Sequence, residues 1–340
     1  MPENIPNGIP FLLLMALEKR RSLIAADHTS AFRLFNGFYE GASDLVVDVY
    51  GSTLILFINS KGEAESIELA QLARDTLLIS LPWIKCVLVK YNHAAEKELR
   101  NGVITFGKMP DESIIENGVR YALEPCLNQD ASFYIDTRNL RAWLITHSKG
   151  LDVLNTFAYT GSLGVAALAG GASRVIQLDR NGRFLNLARQ SAMLNHHDLG
   201  KMKLTAVDFF VGAGQLKRAR NLFDLVILDP PFFSVTEKGL VDQARECHRL
   251  INKVRPLVKN EGRIVAINNS LFLEGVEYLR SLEALCQDGF MEIEEIIPVP
   301  EDITGYADTV VQKPPVDPAP FNHPTKIVIL KVKRKDYSRT

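Results

Sequence analysis

The chain has 340 residues, 46% apolar and 23% charged, with a formal net charge of −1. This is an ordinary globular composition, long enough for two domains, and it excludes a bulk electrostatic basis for binding RNA or DNA. Any polyanion site must be a local patch. Cys86, Cys126, Cys247 and Cys286 lie far apart with no C-x-x-C spacing. Neither a zinc site nor a disulfide framework is expected, no metal is implied, and a reducing cytoplasm is the simplest setting. The apolar run at 9–17 is too short to span a bilayer and is followed by Lys19-Arg20-Arg21. It reads as an amphipathic or docking helix, and no membrane is expected as a partner.

Residues 9–28 read as a helical arm. Residues 45–49 and 53–58 are β-branched and apolar, joined by Tyr50-Gly51-Ser52, which is a hairpin signature. Apolar spacing predicts a helix over 63–80, and 83–90 reads as a strand. Residues 94–100 look like a short helical or loop excursion. Extended structure resumes at 119–123, after the turn dipeptide Asn117-Gly118. These elements predict an N-terminal arm over 1–28 and a small α+β domain over 29–118, with the remaining residues, 119–340, forming one α/β domain.

From about residue 137 helix and strand alternate. Helices are predicted at 138–147, 162–169, 183–194, 240–258 and 274–287. Strands are predicted at 151–157, 174–178, 202–206, 223–228, 263–267, 292–299 and 326–332. Such alternation implies a mostly parallel, doubly wound sheet with helices on both faces. Pro314-Pro315-Val316-Asp317-Pro318-Ala319-Pro320 reads as an extended surface connection.

The strand at 151–157 turns sharply into a helix through Thr160-Gly161. That turn places free backbone N–H groups at the carboxyl edge of the sheet, where ligands bind in folds of this kind. Asp179, Asp208 and Asp229 stand at the ends of the next three strands and should converge on the same crevice. Asp179 follows Gly161 by 18 residues, which suits a carboxylate accepting hydrogen bonds from a ribose diol; Asp208 suits an adenine amino group. Each alone reads equally well as a helix cap. A nicotinamide site wants G-x-G-x-x-G here, but the first glycine position is Tyr159. An adenosine cofactor without a pyrophosphate fits better, and S-adenosylmethionine is the candidate. Downstream, Asp229-Pro230-Pro231-Phe232 forms a rigid platform at a strand end, with an aromatic face that can stack on a planar base. The competing reading is a strand stop with Phe232 and Phe233 packed in the core.

Taken in order, NQDASFYIDTRNLRAW, LDVLNTFAYTGSLG, LDRNGRFLNLARQSAMLN, AVDFF and FDLVILDPPFF resemble the class I S-adenosylmethionine-dependent methyltransferases. The resemblance is strongest to those that modify large-subunit ribosomal RNA at cytosine C5 or guanine N7. RLFNGFYEGASDLVVDVYG, over 33–51, is similar to the small domain that precedes the catalytic one in that family. The resemblance implies a Rossmann-like domain, S-adenosylmethionine as cofactor (S-adenosylhomocysteine as product) and an RNA partner; a homodimer is left open. It also implies that Phe133, Tyr134, Asp136 and Arg138 form an entry motif, with Asp136 and Arg138 closing a methionine pocket. Asn155, Phe157, Tyr159, Thr160 and Gly161 would line that pocket, and Asp229 through Phe232 would position the acceptor.

Two departures from the family matter. The roughly 30 residues before the small domain are too few for the family's RNA-binding PUA domain. RNA affinity would then rest on the small domain, on patches such as Lys217-Arg218 or 331–335, or on a partner. The cytosine-C5 branch needs a cysteine just after the strand that here reads RIVAINNS, where this chain has Asn268-Asn269-Ser270. Cys247 falls in a predicted helix and is expected to be inert. The sequence therefore favours direct methylation of a base nitrogen such as guanine N7. The alternatives are an exocyclic amine or cytosine C5 of a nucleic acid, a small molecule, or an RNA-binding protein that keeps the fold without turnover; Tyr159 argues against a nucleotide-dependent oxidoreductase.

Overall fold

The computed structural model describes residues 8–236 and 239–334. The chain forms two compact units: residues up to Ile135 together with Pro300–Lys313, and Asp136–Val299 together with the residues from Pro314 onward.

The first unit begins with helix α1 (Gly8–Arg20), then β1 (Ala31–Asn36), the short α2 (Gly37–Glu40), β2 (Leu45–Tyr50), β3 (Thr53–Ile58) and α3 (Glu63–Ser80). It continues through β4 (Cys86–Tyr91), α4 (Lys97–Asn101), β5 (Val103–Phe106), β6 (Ser113–Glu116) and β7 (Val119–Ala122). Strands β1 to β5 form one sheet in chain order, antiparallel except where α3 carries the chain from β3 to a parallel β4. Strands β6 and β7 pair as a separate hairpin. A division at residue 118 would cut that hairpin at its turn, and the boundary between the units falls at Ile135 instead. Nor does the N-terminal segment stand apart as an arm. Leu13, Ala16 and Leu17 of α1 pack in one apolar cluster with Phe35, Leu56 and Leu77. Helix α1 ends at Arg20, well short of residue 28, and passes into a 3-10 turn over Arg21–Leu23; Arg20, 0% exposed, makes a two-pronged ion pair with Glu40 at 2.9 and 3.0 Å. The same guanidinium donates to the Asp302 carbonyl, and Thr309 donates to Glu40, which fastens the 300–313 segment to this unit.

The second unit contains α5 (Arg138–His147), β8 (Asp152–Thr156), α6 (Ser162–Ala169), β9 (Arg174–Asp179), α7 (Gly182–Leu194), β10 (Met202–Ala206), α8 (Phe209–Arg218) and β11 (Phe223–Leu228). A hairpin of β12 (Phe233–Thr236) and β13 (Gly239–Asp242) precedes α9 (Gln243–Val254), β14 (Val258–Asn268), α10 (Gly275–Cys286), β15 (Met291–Ile297) and β16 (Lys326–Val332). The seven-stranded sheet has the order β10-β9-β8-β11-β14-β16-β15, and only β16 runs against the rest. Alternate residues of each strand serve opposite faces. Leu154, Val226 and Ile264 pack with α8, α9 and α10, while Val153, Leu225 and Val265 pack with α5, α6 and α7.

The expected 240–258 helix is shorter, because a hairpin occupies its start and Pro256 ends it in a 3-10 turn. Strands β1, β5 and β6 and helix α8 were not expected. In β1 the alternation is masked by Arg33, which is paired with Asp48.

Candidate active site

Counting the seven strands from β8 as one to seven, their order is 3-2-1-4-5-7-6, so the winding direction reverses between β8 and β11. In such sheets the crevice beyond the strand ends at this switch point is the ligand site. Gly161, Asp179, Asp208 and Asp229 stand at or just beyond the carboxyl ends of adjacent parallel strands there.

The first turn is held in an unusual conformation. Phe157, Tyr159 and Gly161 all have positive φ, at 54, 51 and 76°. Two non-glycine residues in this region within three positions mark a backbone that its surroundings over-determine. Those surroundings are identifiable. Ala158 N donates to the Leu178 carbonyl, Tyr159 N donates to Asp179 Oδ2 at 2.8 Å, and the Phe157 ring stacks on Phe209 at 4.5 Å. The Tyr159 ring meets Phe184 edge-on at 4.7 Å. Only glycine suits position 161, since a Cβ there would lie 2.4 Å from that of Ala188. Thr160 is 5% exposed.

Beneath this turn lies a buried amide relay. Asn155, 1% exposed, donates to Gln177 Oε1 at 2.8 Å, and Gln177 Nε2 donates to the Gly161 carbonyl at 2.9 Å. Asn155 therefore supports the turn from below and does not line an open pocket. Gln177 was missed by the sequence reading; its signal was an amide inside the otherwise apolar strand RVIQLD.

Asp179 Oδ1 accepts from Asn181 N at 2.8 Å, so both carboxylate oxygens take backbone N–H groups. Burial pushes its pKa up against the backbone hydrogen bonds from Asn181, Tyr159 and Arg180 and the charge of Arg180. Asp208 caps α8, its Oδ1 accepting from Phe210 N and Val211 N at 2.9 and 3.3 Å. The capping role competes directly with the expected adenine contact, which is left with Oδ2 alone. Asp229 is partly accessible yet deep among protein atoms. Burial, with the like charge of Asp136 added, raises its pKa to about 7. Asp136 Oδ2 accepts from Thr325 Oγ1 at 3.2 Å.

Pro230 is buried, and Phe232 is 44% exposed rather than packed in the core. Arg138 opens α5 and is half-buried. The other half of the entry motif belongs to the first unit. There Phe133 is buried against Tyr121 at 5.1 Å, and Tyr134 is 44% exposed with its hydroxyl donating to Asp130.

Lys326 is a second residue the sequence reading missed. It begins β16 opposite Asn268 and is 0% exposed, and its Nζ donates to the carbonyls of Ser270 and Pro324 at 3.0 and 2.7 Å. Burial lowers its pKa to about 8. Its only sequence signal was a lysine heading an apolar run. Cys247 lies in α9, its Sγ 3.5 Å from Ser281 Oγ, and burial pushes its thiol pKa up, away from the reactive thiolate. Of the proposed basic patches, Lys331 pairs with Glu261 and Lys333 with Glu292, while Lys335 lies outside the described residues.

The crevice offers carboxylates and aromatic faces around a turn whose first position is a tyrosine. That set of groups fits a diol and a cationic sulfonium or ammonium group, and it does not fit a pyrophosphate. Fold and site together define a Rossmann-like methyltransferase. The profile described as S-adenosylmethionine-dependent methyltransferase matches residues 102–295, and the chain belongs to that family, whose cofactor is S-adenosylmethionine. Among curated relatives, "Ribosomal RNA large subunit methyltransferase I" of Aeromonas hydrophila subsp. hydrophila is 31% identical over 243 residues, 68% of this chain and 59% of its own length. The protein of the same name from Tolumonas auensis is 28% identical over 311 residues, 89% of this chain and 76% of its own. The first relatives are matched over only 59–65% of their length. The crystal structure of SMU.776 complexed with SAH superposes with a TM-score of 0.79 at 23% identity, over 95% of this chain and 80% of that one, a likeness of fold. Among the described residues no helix is long and apolar enough to cross a membrane.

Proposed function

We propose that the protein methylates a base nitrogen of RNA, of the ribosomal kind named for its relatives, using S-adenosylmethionine and no covalent cysteine step. The observation that carries this reading is the juxtaposition across the switch point. Asp179 and the strained Phe157–Gly161 turn lie on one side, and Asp229-Pro230-Pro231-Phe232 lies on the neighbouring strand. When bound, the cofactor supplies an electrophilic methyl group. Asp179 holds the ribose diol and Asp208 Oδ2 faces the adenine edge. Gly161 lets the turn close against Ala188 of α7, while Phe157, Tyr159 and Thr160 wall the methionine end and Asp136 with Arg138 closes it. Phe232 stacks the acceptor base, and Asp229 accepts from its N–H edge. Rate enhancement comes from alignment and exclusion of water.

Direct transfer is supported by the absence of cysteine from Asn268-Asn269-Ser270 and by the raised pKa of Cys247. Guanine N7 is a ring nitrogen that already carries a lone pair and needs no such activation. One observation favours an exocyclic amine instead. A carboxyl with a pKa of about 7 is poised to take the proton an amine releases on methylation. Calorimetric titration with S-adenosylmethionine tests the pocket. Binding should be seen with the wild type and be lost or strongly weakened in Asp179→Ala; undiminished binding in that variant would sink the assignment.

A further inference from the structure

The loop that follows β14 presents two large apolar side chains to solvent, Leu271 at 53% and Phe272 at 70% exposed. Exposure of this kind is ordinary in a loose loop, but this one is fastened at both ends. At its root Asn268 Oδ1 accepts from Ser270 N at 3.0 Å, and the buried Lys326 ammonium grips the Ser270 carbonyl. At its exit Leu273 is 5% exposed in the core, and Gly275 N donates to the Asp317 carbonyl at 2.9 Å. Gly275 passes so close to the neighbouring chain that a Cβ would lie 1.8 Å from the Pro318 carbonyl oxygen. Between these anchors Leu271, Phe272 and Glu274 are exposed, and the first two are the apolar ones.

Position gives the exposure a meaning. Strands β11 and β14 are parallel neighbours, with Leu228 opposite Ala266. The loop bearing Phe272 and the Asp229–Phe232 segment therefore rise side by side from the same sheet edge, from strands about 5 Å apart. Phe232 is itself 44% exposed. The molecule thus holds two outward aromatic rings, one in each of the loops that follow these two adjacent strands.

We propose that Phe272, with Leu271 beside it, is a stacking platform for a nucleobase of single-stranded RNA adjacent to the base delivered to Asp229. This rests on the RNA reading above and names a contact outside the cofactor pocket. Every base has a π-face, so a phenyl ring at a fixed position binds the strand with little regard for sequence. It contributes affinity without cationic side chains, which suits a chain of net charge −1 whose Lys331 and Lys333 already sit beside glutamates. Lys326 acts through the loop, as the anchor that keeps the platform at a fixed height.

The test uses the full-length protein, an in-vitro transcript of large-subunit ribosomal RNA, and binding read by filter retention, so that no turnover is needed. Phe272→Ala should weaken RNA binding about tenfold, within the range measured for loss of one stacked base. Phe272→Trp should restore it, and S-adenosylmethionine affinity and melting temperature should stay as in the wild type. Equal RNA affinity in wild type and Phe272→Ala overturns the proposal. So does a fall in cofactor affinity or melting temperature, which marks a structural role, or a dimer-to-monomer change in light scattering, which marks a contact between copies. A wild type that binds the transcript through Phe272 but transfers no methyl to it contradicts the methylation reading and leaves the platform standing.

Discussion

Replacing Asp229 by Asn removes a carboxyl that burial and the nearby charge of Asp136 hold at a pKa of about 7, against 3.8 for an ordinary aspartate. Between those two values the folded protein keeps a proton that the unfolded chain has lost. The native state then binds more protons than the unfolded one, so stability falls as pH rises through this window. The cost is absent below about pH 3.8 and complete above about pH 7. One unit corresponds to 1.36 kcal/mol, so the stretch from pH 5 to the folded pKa is worth at most about 2.7 kcal/mol. Partial solvent access reduces that to about 1–2 kcal/mol. Asparagine, which does not titrate, should therefore gain stability relative to wild type by this amount between pH 5 and pH 8. The two tryptophans are Trp83 and Trp143, one in each unit. Urea unfolding followed by Trp143 fluorescence in a Trp83→Phe background isolates the second unit. A wild-type-to-variant difference that is the same at both pH values would refute the assignment of a buried, charge-coupled carboxyl.

Other perturbations separate the roles of neighbouring residues. Gly161→Ala forces a left-handed backbone on a residue with a Cβ and drives it into Ala188; a loss of at least about 1–2 kcal/mol in urea unfolding is expected, together with loss of cofactor binding in calorimetry. Asp208→Ala should lower stability by about 1 kcal/mol from the lost cap of α8, and Asp208→Ser should recover most of that in thermal melts; if Asp208 also serves adenine, Ser will not recover cofactor affinity. Glu40→Gln leaves the Arg20 guanidinium buried without its counter-charge and should cost the first unit about 3–5 kcal/mol, read by Trp83 fluorescence on denaturation.

The strongly periodic elements were legible in the sequence. The β2–β3 hairpin, α3, α6 and β11 sit where apolar spacing puts them, because packing and propensity agree there. What escaped was structure whose pattern is carried by charges that find partners only in the folded chain. Arg33 in β1 looks like an interruption until Asp48 answers it, and Lys326 looks like a surface residue until two carbonyls enclose it. Helix α8 escaped for a related reason: its two glycines weaken the helical pattern, and Asp208, its cap, reads equally well as a ligand contact. In the candidate site, the three aspartates and the glycine turn could be placed at one sheet edge because each stands at the end of a predicted parallel strand. The difference between Asn155 beneath the turn and Asp179 beside it could not, since that depends on which way a strand residue faces within the sheet. Phe232 and Phe272 show the same limit, because exposure of an apolar ring is decided by the packing of everything around it.

Incubation of the protein with methyl-labelled S-adenosylmethionine and, in parallel, total RNA, protein extract and small metabolites tests the central claim most directly. The account predicts that label enters RNA, in a nucleoside carrying the methyl on nitrogen, and that Asp229→Ala abolishes it. Label confined to the metabolite fraction, or carried on cytosine C5, would contradict it.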